Sequence, residues 1–159
     1  MKKLVGILLS LFTFGAIFVG CSSSSSGNEL KDNLTLKNVV EKIEEVAPMQ
    51  MPMEADEEMA KNIYHLNLDD VEEYYIKSAM VMNSADNTVI VKAKDSKVDN
   101  VKKSLETRLT DVQKSFEQYL PDQKEKANKG KILTKGNYVI LLINDDIKSA
   151  ENAVNSCFK

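Results

Sequence analysis

The sequence predicts an α+β domain: an antiparallel sheet made from two hairpin–helix units, ββαββα in order, with the helices on one face and an N-terminal helical segment ahead of them. Three observations predict it. Apolar residues recur at steps of three and four in two long segments, 35–47 and 98–120. Two segments, 88–94 and 138–143, instead have the alternation or apolar density of strands. The third is an internal repeat. Asn87-Thr88-Val89-Ile90-Val91, closing at Asp95, parallels Asn137-Tyr138-Val139-Ile140-Leu141, closing at Asp145. A helical pattern follows each acid, with Val98, Val101 and Leu105 matched in spacing by Ile147, Ala150 and Val154.

The first helix is expected over 35–47, on Leu36, Val39, Val40, Ile43 and Val46, with Thr35 or Asn33 as cap and Pro48 as its end. Met49-Gln50-Met51-Pro52-Met53 follows as an extended segment, then a short helix over 56–64 and a turn at 65–67. A strand is expected over 74–82, with Tyr74, Ile76, Met80 and Met82 on one face. Asp86-Asn87 turns the chain. In the next strand Val89, Val91 and Ala93 oppose Lys92 and Lys94, the mark of a half-buried antiparallel strand. Ser96-Lys97-Val98-Asp99 has the form of a capping motif. The helix it opens runs to about Leu120 on a seam of Val98, Val101, Leu105, Leu109, Val112, Phe116 and Leu120. Pro121 ends it and can start another. A strand over 131–134, a turn at Lys135-Gly136-Asn137, an apolar strand over 138–143 and a last helix capped by Asp145 or Asp146 complete the chain.

Ahead of the domain, Lys2 and Lys3 precede an uncharged apolar stretch, 4–20, and then Gly20-Cys21. A charged start, a short apolar run and a small residue at the cut form an export signal. A retained spanning helix needs about 20 apolar residues, and this stretch lies at the lower limit. Phe18-Val19-Gly20-Cys21 resembles the bacterial lipobox, with Phe18 where Leu is usual. The resemblance implies that Cys21 takes a diacylglyceryl group, that a peptidase cuts after Gly20, and that the new amine is open to acylation, since two or more chains anchor stably where one does not. The expected organisation is therefore a signal over 1–20, a Ser-rich flexible tether over 21–33 and a single domain over 34–159. That domain sits on the outer face of the bacterial cell membrane.

Composition narrows the function. The formal charge is −3, and the signal holds two lysines and no acid, which leaves −5 on the mature part. That gives no electrostatic case for nucleic acid. Of the 21 basic residues only Arg108 is arginine, so nothing in the composition suggests bidentate anion recognition. With Cys21 assigned to lipid, Cys157 has no partner for a disulfide and reads as a small core residue. His65 is the one histidine, and no nucleophilic triad assembles around it. There is no Trp and no phosphate-cradling glycine loop. Carboxylates are plentiful, but no sugar-stacking aromatic set accompanies them. The runs Asp56-Glu57-Glu58 and Asp69-Asp70 with Glu72-Glu73 read as acids at helix N-termini; a calcium loop would need a Gly, and none lies between Gly27 and Gly130.

The sharpest site candidate is Met49, Met51 and Met53, joined by His65. Thioethers are soft ligands suited to Cu(I). The competing reading makes these methionines, with Met59, adaptable core.

Asp70-Val71-Glu72-Glu73-Tyr74, Ser84-Ala85-Asp86, Val91-Lys92-Ala93-Lys94-Asp95, Phe116 with Tyr119-Leu120-Pro121, and Lys135-Gly136-Asn137-Tyr138-Val139 together resemble a family of short bacterial lipoproteins known as domain of unknown function 4358. The resemblance covers nearly all of the mature chain, through the order of the motifs. It implies an extracytoplasmic α+β domain and no particular activity. This chain departs from it at His65, where the family more often has Gly, which makes His65 a turn residue of positive φ. The expectation is a non-enzymatic binding domain, without cofactor, joined to the membrane by lipid and meeting an envelope protein or small ligand. Metal capture is the alternative.

Overall fold

The computed structural model describes residues 27–79 and 81–159. The expected signal over 1–20, Cys21 and Ser22–Ser26 lie outside them. Helix α1 (Leu36–Val46) starts at Thr35, whose Oγ1 accepts from Asn38 N at 3.2 Å while Asn38 Oδ1 accepts from Thr35 N at 3.0 Å. This reciprocal cap satisfies two backbone donors that a helix start leaves unpaired. Strand β1 (Pro52–Glu54) follows, then helix α2 (Glu57–Asn62), capped by Asp56 accepting from Met59 N at 2.8 Å. A short 3₁₀ turn (Leu68–Asp70) leads to strands β2 (Val71–Ala79) and β3 (Asn87–Ala93). Helices α3 (Val98–Ser115) and α4 (Pro121–Asn128), strands β4 (Lys131–Lys135) and β5 (Tyr138–Ile143), and helix α5 (Ile147–Cys157) complete the fold. Asp146 caps α5 through Ser149 N at 2.9 Å.

The class is the predicted one, mixed α+β. The five strands form one antiparallel sheet in the order β1-β2-β3-β5-β4. Four strands were expected. The fifth, β1, is three residues long and has no readable period; its Pro52 is tolerated because β1 lies at the sheet edge.

The placement of the helices differs from the expectation of one covered face. Val89, Val91, Val139, Leu141 and Ile143 pack with Val101, Leu105 and Val112 of α3. Ile90, Ile140 and Leu142 pack with α1 and with Ala150, Val154 and Cys157 of α5. Side chains alternate across a strand, so these are opposite faces. The two hairpin–helix units thus send α3 and α5 to opposite sides, and the repeat is not a symmetric duplication. Two antiparallel hairpins side by side are related by an axis through the sheet, which would keep both helices on one face. Strand β3 is accordingly buried on both faces for most of its length rather than half-buried.

Boundaries differ in three places. Strand β2 starts at Val71 and ends at Ala79, so Met82 lies in the turn beyond it and is 98% exposed. Ser96 is not a cap; it has φ +64°, and Lys97 takes the cap position with no side-chain hydrogen bond. Helix α3 ends at Ser115, five residues short of Leu120, which sits at φ +53° ahead of Pro121.

Residues ahead of α1, within the expected tether, are also fastened. Leu30 bridges Phe158, Lys31 N donates to Cys157 O at 2.9 Å, and Lys159 N donates to Glu29 O at 2.9 Å. The β4–β5 turn lies against them. A Cβ on Gly136, which has φ +52°, would stand 2.6 Å from Asn28 O. Residues 28–31, within the expected tether, thus lie against the fold.

Candidate functional site

A groove of about 590 Å³ opens where the β2–β3 turn meets the C-terminal half of α3. Val112 and Phe116 of the α3 seam form its apolar wall, with Val81 opposite. Met82 and Tyr119, two of the most exposed large apolar side chains in the described residues, flank it. Asn83, Ser84 and Ser115 add polar groups, and Arg108 is the one charged residue lining it.

Arg108 is positioned by contacts from two other elements. Its Nε and Nη2 donate to Asn87 Oδ1 at 3.3 and 3.1 Å, and its guanidinium lies 4.9 Å from the Tyr64 ring centroid. Tyr64 is buried, its hydroxyl donates to the same Asn87 oxygen at 2.8 Å, and burial pushes its phenol pKa up. Asn87 is held in turn by donating to Ala85 O at 2.9 Å. Among the described residues no carboxylate pairs with Arg108.

The turn forming one side of the groove is pinned from behind. Lys126 Nζ lies 2.9 Å from Asp86 Oδ1 and 2.9 Å from Asp145 Oδ1, joining the β2–β3 turn to the end of β5. Asp86 Oδ2 accepts from Ser84 Oγ at 2.7 Å, and Gln123 Oε1 accepts from Ala85 N at 3.0 Å. Burial opposes the charge on Lys126, but hydrogen bonds and attraction from Asp86 and Asp145 outweigh it, so its pKa is raised. The ammonium therefore stays protonated beside Ser84.

The sequence-predicted candidates lie elsewhere. Cys21 is outside the described residues. Met49 is buried, Met51 is 63% exposed at φ +44°, and Met53 is half-buried on β1 opposite Ser78. The left-handed residue breaks the alternation that would put three sulfurs on one strand face. His65 does occupy a turn with positive φ, +56°, and its Nε2 lies 2.7 Å from Asp111 Oδ2 on α3. Cys157 is buried in the core. The acidic runs serve locally: Asp56 caps α2, Glu57 and Glu58 occupy its first turn, and buried Asp70 accepts from Asn100 at 2.9 Å and pairs with Lys97 at 3.0 Å. These contacts, Asn100 first, hold the Asp70 carboxyl below its ordinary pKa. Among the described residues no group of three or more His, Cys, Asp or Glu side chains could hold a metal ion.

The family described as Domain of unknown function (DUF4358) matches residues 45–144. The chain belongs to the DUF4358 family. No curated protein and no solved structure matches it. The DUF4358 span contains the whole sheet, the α3 face and every residue that lines the groove. It ends before α5 and takes in only the last residues of α1, the two helices of the opposite face.

Sequence reasoning missed Arg108, Asn87 and Lys126. One signal was present: the sole arginine sits three residues after Leu105 and four before Val112, on the border of the buried seam.

Proposed function

We propose that this DUF4358 chain is an exported, lipid-anchored binding protein. Cys21 carries the diacylglyceryl group, the domain faces outward from the bacterial cell membrane, and the groove at Arg108 holds a ligand without converting it. One observation carries the binding reading: a groove of small-ligand size with apolar walls and a single, pre-positioned cation. The groups near it that could do chemistry are otherwise engaged. Ser84 donates to Asp86, and Lys126, held charged by two carboxylates, is no general base for it. The anchor rests on Lys2, Lys3, the apolar stretch and Gly20-Cys21.

Copper capture by Met49, Met51, Met53 and His65 has weaker support, since Met49 is buried and His65 already faces Asp111.

Two measurements test the proposal. A photo-crosslinking residue in place of Met82 should give a light-dependent adduct in living cells, and the same residue at Lys148, exposed on α5 across the sheet, should give none. Equal adducts at both positions, or none at Met82, would refute the groove as the binding surface. Labelled palmitate should enter the wild-type chain and not Cys21→Ala. Equal labelling of both would refute the anchor.

A further inference from the structure

We infer that the groove receives the free C-terminal carboxylate of a short apolar peptide. This deepens the binding reading above and rests on it.

Charge is the first argument. The chain has 24 acids against 21 bases, yet among the described residues the groove is lined by one cation and no carboxylate. Among acids adjacent in sequence to lining residues, Asp86 has both oxygens occupied by Lys126 and Ser84, Asp111 lies 2.7 Å from His65 Nε2, and Glu117 does not line the groove. An anionic ligand therefore meets one cation and no carboxylate on the groove wall. Guanidinium geometry is the second. Asn87 and Tyr64 fix the plane of Arg108 through Nε, Nη2 and the ring face, while Nη1 makes no hydrogen bond to a described residue. A planar fork held in this way suits the two oxygens of a carboxylate, and its orientation has been set before binding.

The lining selects a peptide over a fatty acid. Val112, Phe116 and Met82 can cover apolar side chains, while the Asn83 amide can donate and accept, and Ser84 and Ser115, whose hydroxyls already donate to Asp86 and Asp111, can still accept from a peptide N–H that an alkyl chain lacks.

Position is the third argument. Strand β3 starts at Asn87 beside the groove and ends at Ala93, whose N donates to Asn137 O in the β4–β5 turn. That turn packs on Asn28, where the tether joins the fold. The groove and the tether thus lie at opposite ends of a seven-residue strand, about 20 Å apart. The groove is therefore at the far end of the sheet from the point where the expected tether joins the fold.

Isothermal titration calorimetry on the full chain in lipid nanodiscs tests this, with acetyl-Gly-Leu-Phe as free acid and as amide. The acid should bind at least about tenfold more tightly than the amide. Arg108→Lys, which keeps the charge and loses the fork, should shrink that preference, and Arg108→Gln, which loses both, should remove it. Met82→Glu, at a fully exposed turn residue, should weaken acid binding about tenfold with the melting temperature unchanged. Equal binding of acid and amide, no binding of the acid, or tighter binding of decanoate or inorganic phosphate would overturn the inference. Crosslinking at Met82 does not depend on ligand chemistry, so it separates failure here from failure of the binding reading.

Discussion

Replacing Lys126 with methionine should destabilise the fold by about 3–5 kcal/mol, because it leaves a buried carboxylate without its cation. Asp86 is 3% exposed, and Lys126 is its only ion-pair partner among the described residues. For a chain of this size that corresponds to a melting temperature lower by about 10 °C. The loss should come mainly from the orphaned charge and not from lost attraction, so Lys126→Met with Asp86→Asn should recover at least half of it. A double variant as unstable as the single one would show that packing of the lysine stem, not the ion pair, holds the turn. The pH dependence has a definite sign. The Lys126 pKa is raised above the ordinary 10.5, so its contribution is complete below 10.5 and is lost as pH climbs through the higher folded value. The stability gap between wild type and Lys126→Met, measured by urea denaturation, should be constant from neutral pH to about 10 and shrink above that. The variant should also weaken ligand binding, since Asp86 belongs to the turn that forms one side of the groove.

Local physics made much of the fold legible. The cap at Thr35, one of two candidates, the start of α4 at Pro121, the seam from Val101 to Phe116 and the cap at Asp146, again one of two, each depend on residues within a few positions of one another. What could not be read was set by distant residues. Strand β1 exists because Pro52–Glu54 finds the edge of β2 at Lys77–Ala79, not because of its own pattern. Ser96 looked like a cap, but a left-handed backbone there moves the helix start to Lys97. The site follows the same rule. His65 was legible as a turn residue from the glycine that the resembling family more often has there. Arg108 became part of a groove only when Tyr64 and Asn87, from two other parts of the chain, closed on it. Lys126 read as one solvated lysine among many until α4 laid it against Asp86. Composition gave no sign of the place of Arg108, because one arginine counts for little in a total.

Ile140→Ala and Leu141→Ala should each cost about 2–5 kcal/mol, and this pair separates a sheet covered on both faces from one covered on a single face. The two residues are neighbours on β5, both fully buried, with side chains on opposite sides. Ile140 pairs across the sheet with Ile90 and Leu133 and packs toward α1 and α5. Leu141 pairs with Val89 and Ile132 and packs toward α3. If the helices lay on one face only, one of the two side chains would meet solvent, and its truncation would cost no more than about 0.5 kcal/mol, as at ordinary surface positions. Two similar losses in urea denaturation followed by circular dichroism establish the two-faced core; one large and one negligible loss would refute it. The comparison also bears on the groove. Leu141 shares its face with Val112 and Phe116, which wall the groove, whereas Ile140 does not. Beyond the stability cost, Leu141→Ala should therefore loosen the groove and weaken binding of the peptide acid, while Ile140→Ala should leave that affinity within about twofold under conditions where both variants are folded.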